Sequence, residues 1–158
     1  MTRRLLCLLG LLLCFASATH AAPPRRIVSL SPGTTEMLFA LGLGRSVVGD
    51  TVYCDYPPAA KAITKVGDVN TSYEKVLALR PDLIVADAVA NNRAVARLTQ
   101  LHQPVLAVRP TSLLAVETSL RQIGAKTGTA RQAEGVIAQM ERKAYQASRL
   151  AAADKRPR

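Results

Sequence analysis

The sequence predicts an α/β domain built on a parallel sheet, and three observations carry that prediction. Short apolar runs, IVSL (27–30), SVVG (46–49), LIVA (83–86) and VLAV (105–108), alternate with segments of helical periodicity. LIVA is apolar without a break, the pattern of a strand covered on both faces. The connections are short, so successive strands are expected to lie side by side with helices packed over them. The 158 residues, 49% of them hydrophobic, suffice for one core of ordinary size and not for two.

The elements follow in order. IVSL feeds Ser31-Pro32, which reads as an N-cap and a proline at the first helical position, and the helix runs to about Leu41. Gly42 stops it as a C-cap, and Glu36 stands in an early turn where its charge suits the helix dipole. SVVG is the second strand. YCDYPPAA (53–60) is a loop, because Pro57-Pro58 cannot continue a ladder. SYEKVLAL (72–79) sets Val76, Leu77 and Leu79 on a short helix that Arg80-Pro81-Asp82 ends before LIVA. Asn91 or Asn92 caps the next helix, to about Leu101, and Pro104 separates it from VLAV. Thr111 or Ser112 then starts a helix with Leu113, Val116, Leu120 and Ile123 on one face.

The last stretch differs. From Thr129 to about Ala153, the residues Ala133, Val136, Ile137, Met140, Ala144 and Ala147 form one narrow apolar stripe. At 1.5 Å per residue the helix is about 36 Å long, and a rod of that kind lies across something.

Residues 1–22 read as a cleavable signal peptide: basic MTRR, apolar LLCLLGLLLCFA (5–16) and small-residue ASATHAA before cleavage near Ala21 or Ala22. Twelve apolar residues fall short of the ~20 a membrane span needs. Lipidation at Cys14 is disfavoured by the three leucines before it. Export leaves Cys54 alone in an oxidising compartment, either buried and inert or paired outside this chain.

The net charge of +10 is concentrated at the ends; within residues 27–150 there are 14 basic and 10 acidic residues, a balance of +4. Without a run of interleaved basic and aromatic residues, no nucleic-acid partner is expected. Nor does a catalytic constellation emerge. His102 stands alone on a loop beside Gln103-Pro104, and neither it nor Cys54 has companions at metal-ligand spacing. GLGRSVVG (42–49) follows a helix and precedes a strand, the reverse of a nucleotide fingerprint. Asp82 and Asp87 bracket a strand as solvated ends. The loops 31–35, 53–58, 68–72 and 87–92 follow strands or precede helices, where open parallel sheets gather ligands. A binding protein, not an enzyme, is the expectation, with no metal site and no covalently bound cofactor.

RIVSLSPGTTEMLFALGLGRSVVG, YCDYPP, KVGD and EKVLALRPDLIVA, in this order and spacing, resemble the N-terminal lobe of the ABC-transporter substrate-binding proteins for cobalamin, iron-siderophores and haem. The match covers about residues 25–150, and the YCDYPP form is most similar to the cobalamin-binding branch. The resemblance implies two Rossmann-like α/β lobes joined by one stiff helix, with ligand held between them and little hinge closure. It divides this chain into a signal peptide (1–22), one lobe (23–110), a helical connector (111–153) and the start of an absent second lobe (154–158). The implied function is the periplasmic, substrate-binding component of an ABC importer, here at half length, which delivers cobalamin, a ferric siderophore or haem to an inner-membrane permease. The alternative is a one-lobed subunit of a split receptor, or an interaction protein outside transport. An unpaired connector stripe implies self-association.

Residue by residue, Tyr53 matches a tyrosine that contacts cobalamin in the family, with Asp55 and Tyr56 in the same loop. Ser31, Pro32 and Thr34 lie on the same implied cleft edge. Asp68, Val69 and Asp87 occupy positions where cobalamin binders often carry aromatics, which keeps a siderophore open as ligand. Haem binders often place a tyrosine near Gly67 or Asp68; here only Tyr73 is nearby. Glu74 matches a surface glutamate that pairs with permease arginines, and charge of that kind fixes register at an interface.

Overall fold

The computed structural model describes residues 22–68 and 70–154. The leader up to Ala21, the candidate contact Val69 and residues 155–158 lie outside them. Four strands, β1 (Ile27–Ser29), β2 (Val47–Gly49), β3 (Leu83–Asp87) and β4 (Val105–Val108), form one sheet in the order β2-β1-β3-β4, every pair parallel. The helices are α1 (Pro32–Ala40), α2 (Tyr73–Ala78), α3 (Asn92–Gln100), α4 (Leu113–Thr127) and α5 (Ala130–Asp154).

Strand alternation sorts these side chains into two cores. Ile27, Val47, Leu83 and Val85 meet Met37 and Leu38 of α1, Leu120 and Ile123 of α4, and Ala133 and Ile137 of α5. Val28, Ile84 and Ala86 point the other way, onto Val76 of α2 and Ala94 and Leu98 of α3. The result is three layers, with the central strands buried on both faces as the unbroken LIVA run implies. Each fully buried leucine or isoleucine contributes about 1.5–3 kcal/mol.

The caps explain the boundaries. Ser31, Ser72 and Ser112 each accept a first-turn N–H of the helix they precede. Leu41 caps α1, and Gly42 follows at φ 77°, in the left-handed region that suits glycine. Glu36 falls in the second turn, since α1 begins at Pro32. Asn91 is the N-cap of α3, but its side chain does not cap; it accepts from the Asp87 N–H at 3.0 Å. Within the predicted loop, Pro58–Ala62 winds into a 3-10 helix.

Gly128, at φ 74°, breaks the C-terminal region into an antiparallel helix pair: Gly124 lies against Ala130 and Ala133, and Arg121 pairs with Glu134 at 2.9 Å. Two expectations need correction here. Leu113 is exposed, as is Leu114 beside it, so the first turn of α4 does not share the burial of Leu120 and Ile123. The packed part of the α5 stripe ends at Met140, and Ala144 and Ala147 are exposed with the rest of 141–151. Gly135 in α5 is exposed, and a Cβ there would meet nothing within 4 Å. Gly135→Ala is therefore expected to stabilise the fold by about 0.8 kcal/mol through helix propensity, read as a small rise in thermal midpoint.

Candidate functional site

All four strands run the same way, so their carboxyl ends share one edge, and the segments 30–33, 50–58, 88–91 and 109–112 emerge there. Residues 68 and 70–72 join them, because Val52 N–H donates to Gly67 O at 3.0 Å and Lys65 bridges to Asp50 alongside β2. Helices α1 to α4 start from this edge and turn their positive ends toward it. The strand order reverses between β1 and β3, the point at which an open parallel sheet leaves a crevice.

The strand-to-helix turn at β1 is rigid. Thr34 N–H donates to Ser31 Oγ at 3.3 Å, and Ser31 N–H donates back to Thr34 Oγ1 at 3.2 Å. The Thr35 hydroxyl lies 2.8 Å from Ser29 Oγ and 3.2 Å from the Cys54 thiol, which tethers the β2 loop to α1. Ser31 and Thr34 are buried and their polar groups are consumed by this network, whereas Pro32 and Gly33 face solvent. Cys54, also buried, is the free cysteine among the described residues.

The β2 loop holds its aromatic rings outward: Tyr53 is 55% exposed and Tyr56 63%, with Asp55 exposed between them. The Lys65 ammonium sits beneath, donating to Asp50 Oδ1 at 2.7 Å, Ala60 O at 3.0 Å and Cys54 O at 3.1 Å. Asp50 is fully buried, and its Oδ2 has no hydrogen-bond partner among the described residues. Burial pushes the Asp50 carboxyl above its ordinary 3.8, and the bond and charge of Lys65 offset this only in part.

Two cavities open near the end of β3, and Asp87 lines one of them. On the α1, α4 and α5 side it lines a space of about 570 Å³ with Gly33, Tyr56, Leu120, Val136 and Met140. On the α2 and α3 side, Asn70, Thr71, Tyr73, Asn91 and Arg93 line a more polar space of about 530 Å³. One Asp87 oxygen is engaged locally, accepting from Val89 N–H at 2.7 Å and Ala90 N–H at 3.1 Å. Asp68 is exposed and accepts from Asn70 N–H at 2.6 Å. Glu74 is exposed in the first turn of α2 and accepts from Ser72 Oγ at 3.1 Å.

Most of the exposed large apolar side chains also fall on this edge: Val52, Tyr53 and Tyr56 after β2, Val89 after β3, and Leu113 and Leu114 at the start of α4. Apolar exposure gathered on one edge marks a surface that meets something. Of the sequence candidates, Tyr56 and Asp87 are brought onto one cavity, while Asp68 and Glu74 stand apart beside α2. Gly33, in the Ser31–Thr34 turn that the sequence marked as a pocket wall, does line this cavity; sequence reasoning missed Lys65, Val136 and Met140 as site residues, since their placement depends on how the helix pair and the β2 loop fold back. Among the described residues no group of three or more His, Cys, Asp or Glu side chains converges as a metal site. No described helix is long and apolar enough to cross a membrane.

Residues 27–158 match the family model described as periplasmic binding protein. The vitamin B12-binding protein of Pectobacterium atrosepticum is 38% identical over 137 residues, covering 85% of this chain and 48% of that protein. An uncharacterised ABC transporter substrate-binding lipoprotein of Bacillus subtilis, YvrC, is 38% identical over 122 residues, covering 75% and 39%. Among solved structures, the periplasmic heme-binding protein RhuT of Roseiflexus sp. RS-1 superposes with a TM-score of 0.76 at 32% identity, over 84% of this chain and 52% of that one. The periplasmic vitamin B12 binding protein BtuF of Vibrio cholerae gives 0.66 at 32% identity, over 77% and 49%. The chain thus spans about half the length of the curated relatives it matches.

Proposed function

The chain belongs to the periplasmic binding protein family, and on that premise we propose that its lobe is one wall of a receptor cleft that captures a cobalamin-like ligand in the periplasm for an ABC importer. The observation that carries the reading is the exposed apolar edge at the strand ends, with Tyr53 and Tyr56 outward above a cavity reached by Asp87. Flat rings at the mouth of a crevice suit a large planar ligand.

The course of α5 supports a second wall. Gly124 opposite Ala133 and Arg121 opposite Glu134 place Leu113 level with about residue 143, so the last eleven or so residues of α5 overhang the ligand edge by roughly 16 Å. That overhang is exposed throughout residues 144–151, Tyr145 and Leu150 included. A connector reaching from one lobe to another has this form. Cobalamin is favoured over haem because several relatives are vitamin B12-binding proteins and because Tyr73, the nearby tyrosine, packs against the α2 and α3 core. We further propose that exposed Glu74, at the same end of the lobe, meets a basic residue of the permease.

Titration of the ¹⁵N-labelled chain with cyanocobalamin, hemin and a ferric siderophore tests the reading. Cyanocobalamin is expected to shift amides at 33–34, 52–56 and 87–92, with a Kd weaker than about 10 μM, since one wall supplies half of a pocket's contacts. Tyr53→Ala is expected to weaken it roughly tenfold, the typical loss of one aromatic anchor. Nanomolar binding by the monomer sinks the two-wall reading; shifts confined elsewhere sink the assignment of the edge.

A further inference from the structure

We propose that Lys65 is a positioning residue of the ligand edge, whose one ammonium ties both ends of the 54–60 loop and thereby holds Tyr56 and its neighbour Tyr53 in a single arrangement. The inference rests on the reading that these tyrosines face ligand.

An ammonium has three N–H bonds to give, and Lys65 gives all three inward: to Asp50 Oδ1, to Cys54 O and to Ala60 O. The two carbonyls are six residues apart and bracket the aromatic turn, so one side chain closes the loop as a cross-link would. The Cys54 end is held as well by its buried thiol, 3.2 Å from the Thr35 and Thr51 hydroxyls, but the turn between the two carbonyls has no such tie. Among the described residues, no N–H or carbonyl of 55–59 bonds to the sheet or to α1. Tyr53 and Tyr56 are more than half exposed, so packing does not fix their rings, and their positions follow the backbone that carries them. A binding surface whose loop is already ordered avoids the entropy cost of ordering it when ligand arrives. Asp50 supports the clamp from below: its buried Oδ1 accepts from the ammonium at 2.7 Å and seats it, and Lys65 itself extends the sheet through the Asp50 bridge.

The double variant Asp50→Asn/Lys65→Met separates this role from a merely structural one. It removes both buried charges together, so the fold is not left with an unpaired carboxylate and the thermal midpoint is expected to return close to the parent's. The clamp stays lost. Backbone order parameters at residues 55, 56 and 59 are expected to fall from about 0.85 to below about 0.6, and the cyanocobalamin Kd to weaken roughly tenfold. If the midpoint recovers and the order parameters stay at parent values, Lys65 does not hold the loop and the proposal is overturned. If the loop loosens while neither parent nor variant responds to cyanocobalamin, the clamp is upheld and the ligand reading falls instead.

Discussion

Lys65→Met alone is expected to destabilise the fold by about 3 kcal/mol, at the lower end of what removing one partner from a buried pair costs. Asp50 explains why the loss is large. Its side chain is fully buried and, among the described residues, one oxygen already lacks a partner and the other would lose the only cation beside it. Lys65 moderates the figure, because its own side chain is 29% exposed and water can follow where the ammonium was. In a domain of this size the thermal midpoint should drop by roughly 10 °C. The deficit should depend on pH, with a definite sign. Burial already raises the folded-state value of Asp50 above 3.8, and losing Lys65 removes the two influences that lower it. A folded state that binds this proton more tightly than the unfolded chain gains stability as pH falls from above the folded value to below 3.8. The gap between variant and parent should therefore narrow on acidification from pH 7. A gap that is constant or widens would show that the unpaired carboxylate is not its source. Urea melts across that pH range give the measurement.

What was legible in the sequence had local causes. LIVA declares itself because a parallel strand covered on both faces needs apolar side chains along its length, and IVSL follows the same rule except at Ser29, whose buried hydroxyl is taken up by Thr34 and Thr35. Ser31, Ser72 and Ser112 mark helix starts because each hydroxyl reaches an N–H only three residues on. Asn91 shows the limit: its side chain has two partners in reach, and it goes to Asp87 N–H for reasons set by the path of the β3 loop. Periodicity places Leu113 with Leu120 and Ile123 but carries no information on where along α4 the burial begins. The same gap hides the end of packing along α5 at Met140. Tyr53 and Tyr56 came from family resemblance, and their exposure is a property of the folded loop. The Asp50–Lys65 pair, fifteen residues apart, depends on a parallel bridge that no local pattern announces.

Gly124→Leu is expected to cost about 3 kcal/mol or somewhat more, at or beyond the upper end of ordinary overpacking, and to loosen α5 from the lobe. A single Cβ at position 124 would already stand 3.0 Å from Ala133 Cβ and 3.2 Å from both Ala130 Cα and Thr129 O. Two of those three atoms belong to the backbone of the turn and of α5, so no rotamer change can relieve them. The turn is also bonded to the same residue: Gly128 N–H and Thr129 N–H both donate to Gly124 O, the latter at 2.8 Å. Moving α5 away to admit a side chain thus strains the bonds that reverse the chain. It also separates Val116 and Leu120 from Val136 and Met140, which together wall the cavity under Tyr56 and Asp87. Thermal melts of Gly124→Leu should show a midpoint lower by roughly 10 °C, and trypsin should cut more readily after Arg131, near the start of α5. Gly135→Ala, on the same helix with open space around it, supplies the contrast, since its midpoint should rise. If both variants melt with the parent, the contact between α4 and α5 is not what anchors the overhanging helix, and the second wall would need another support.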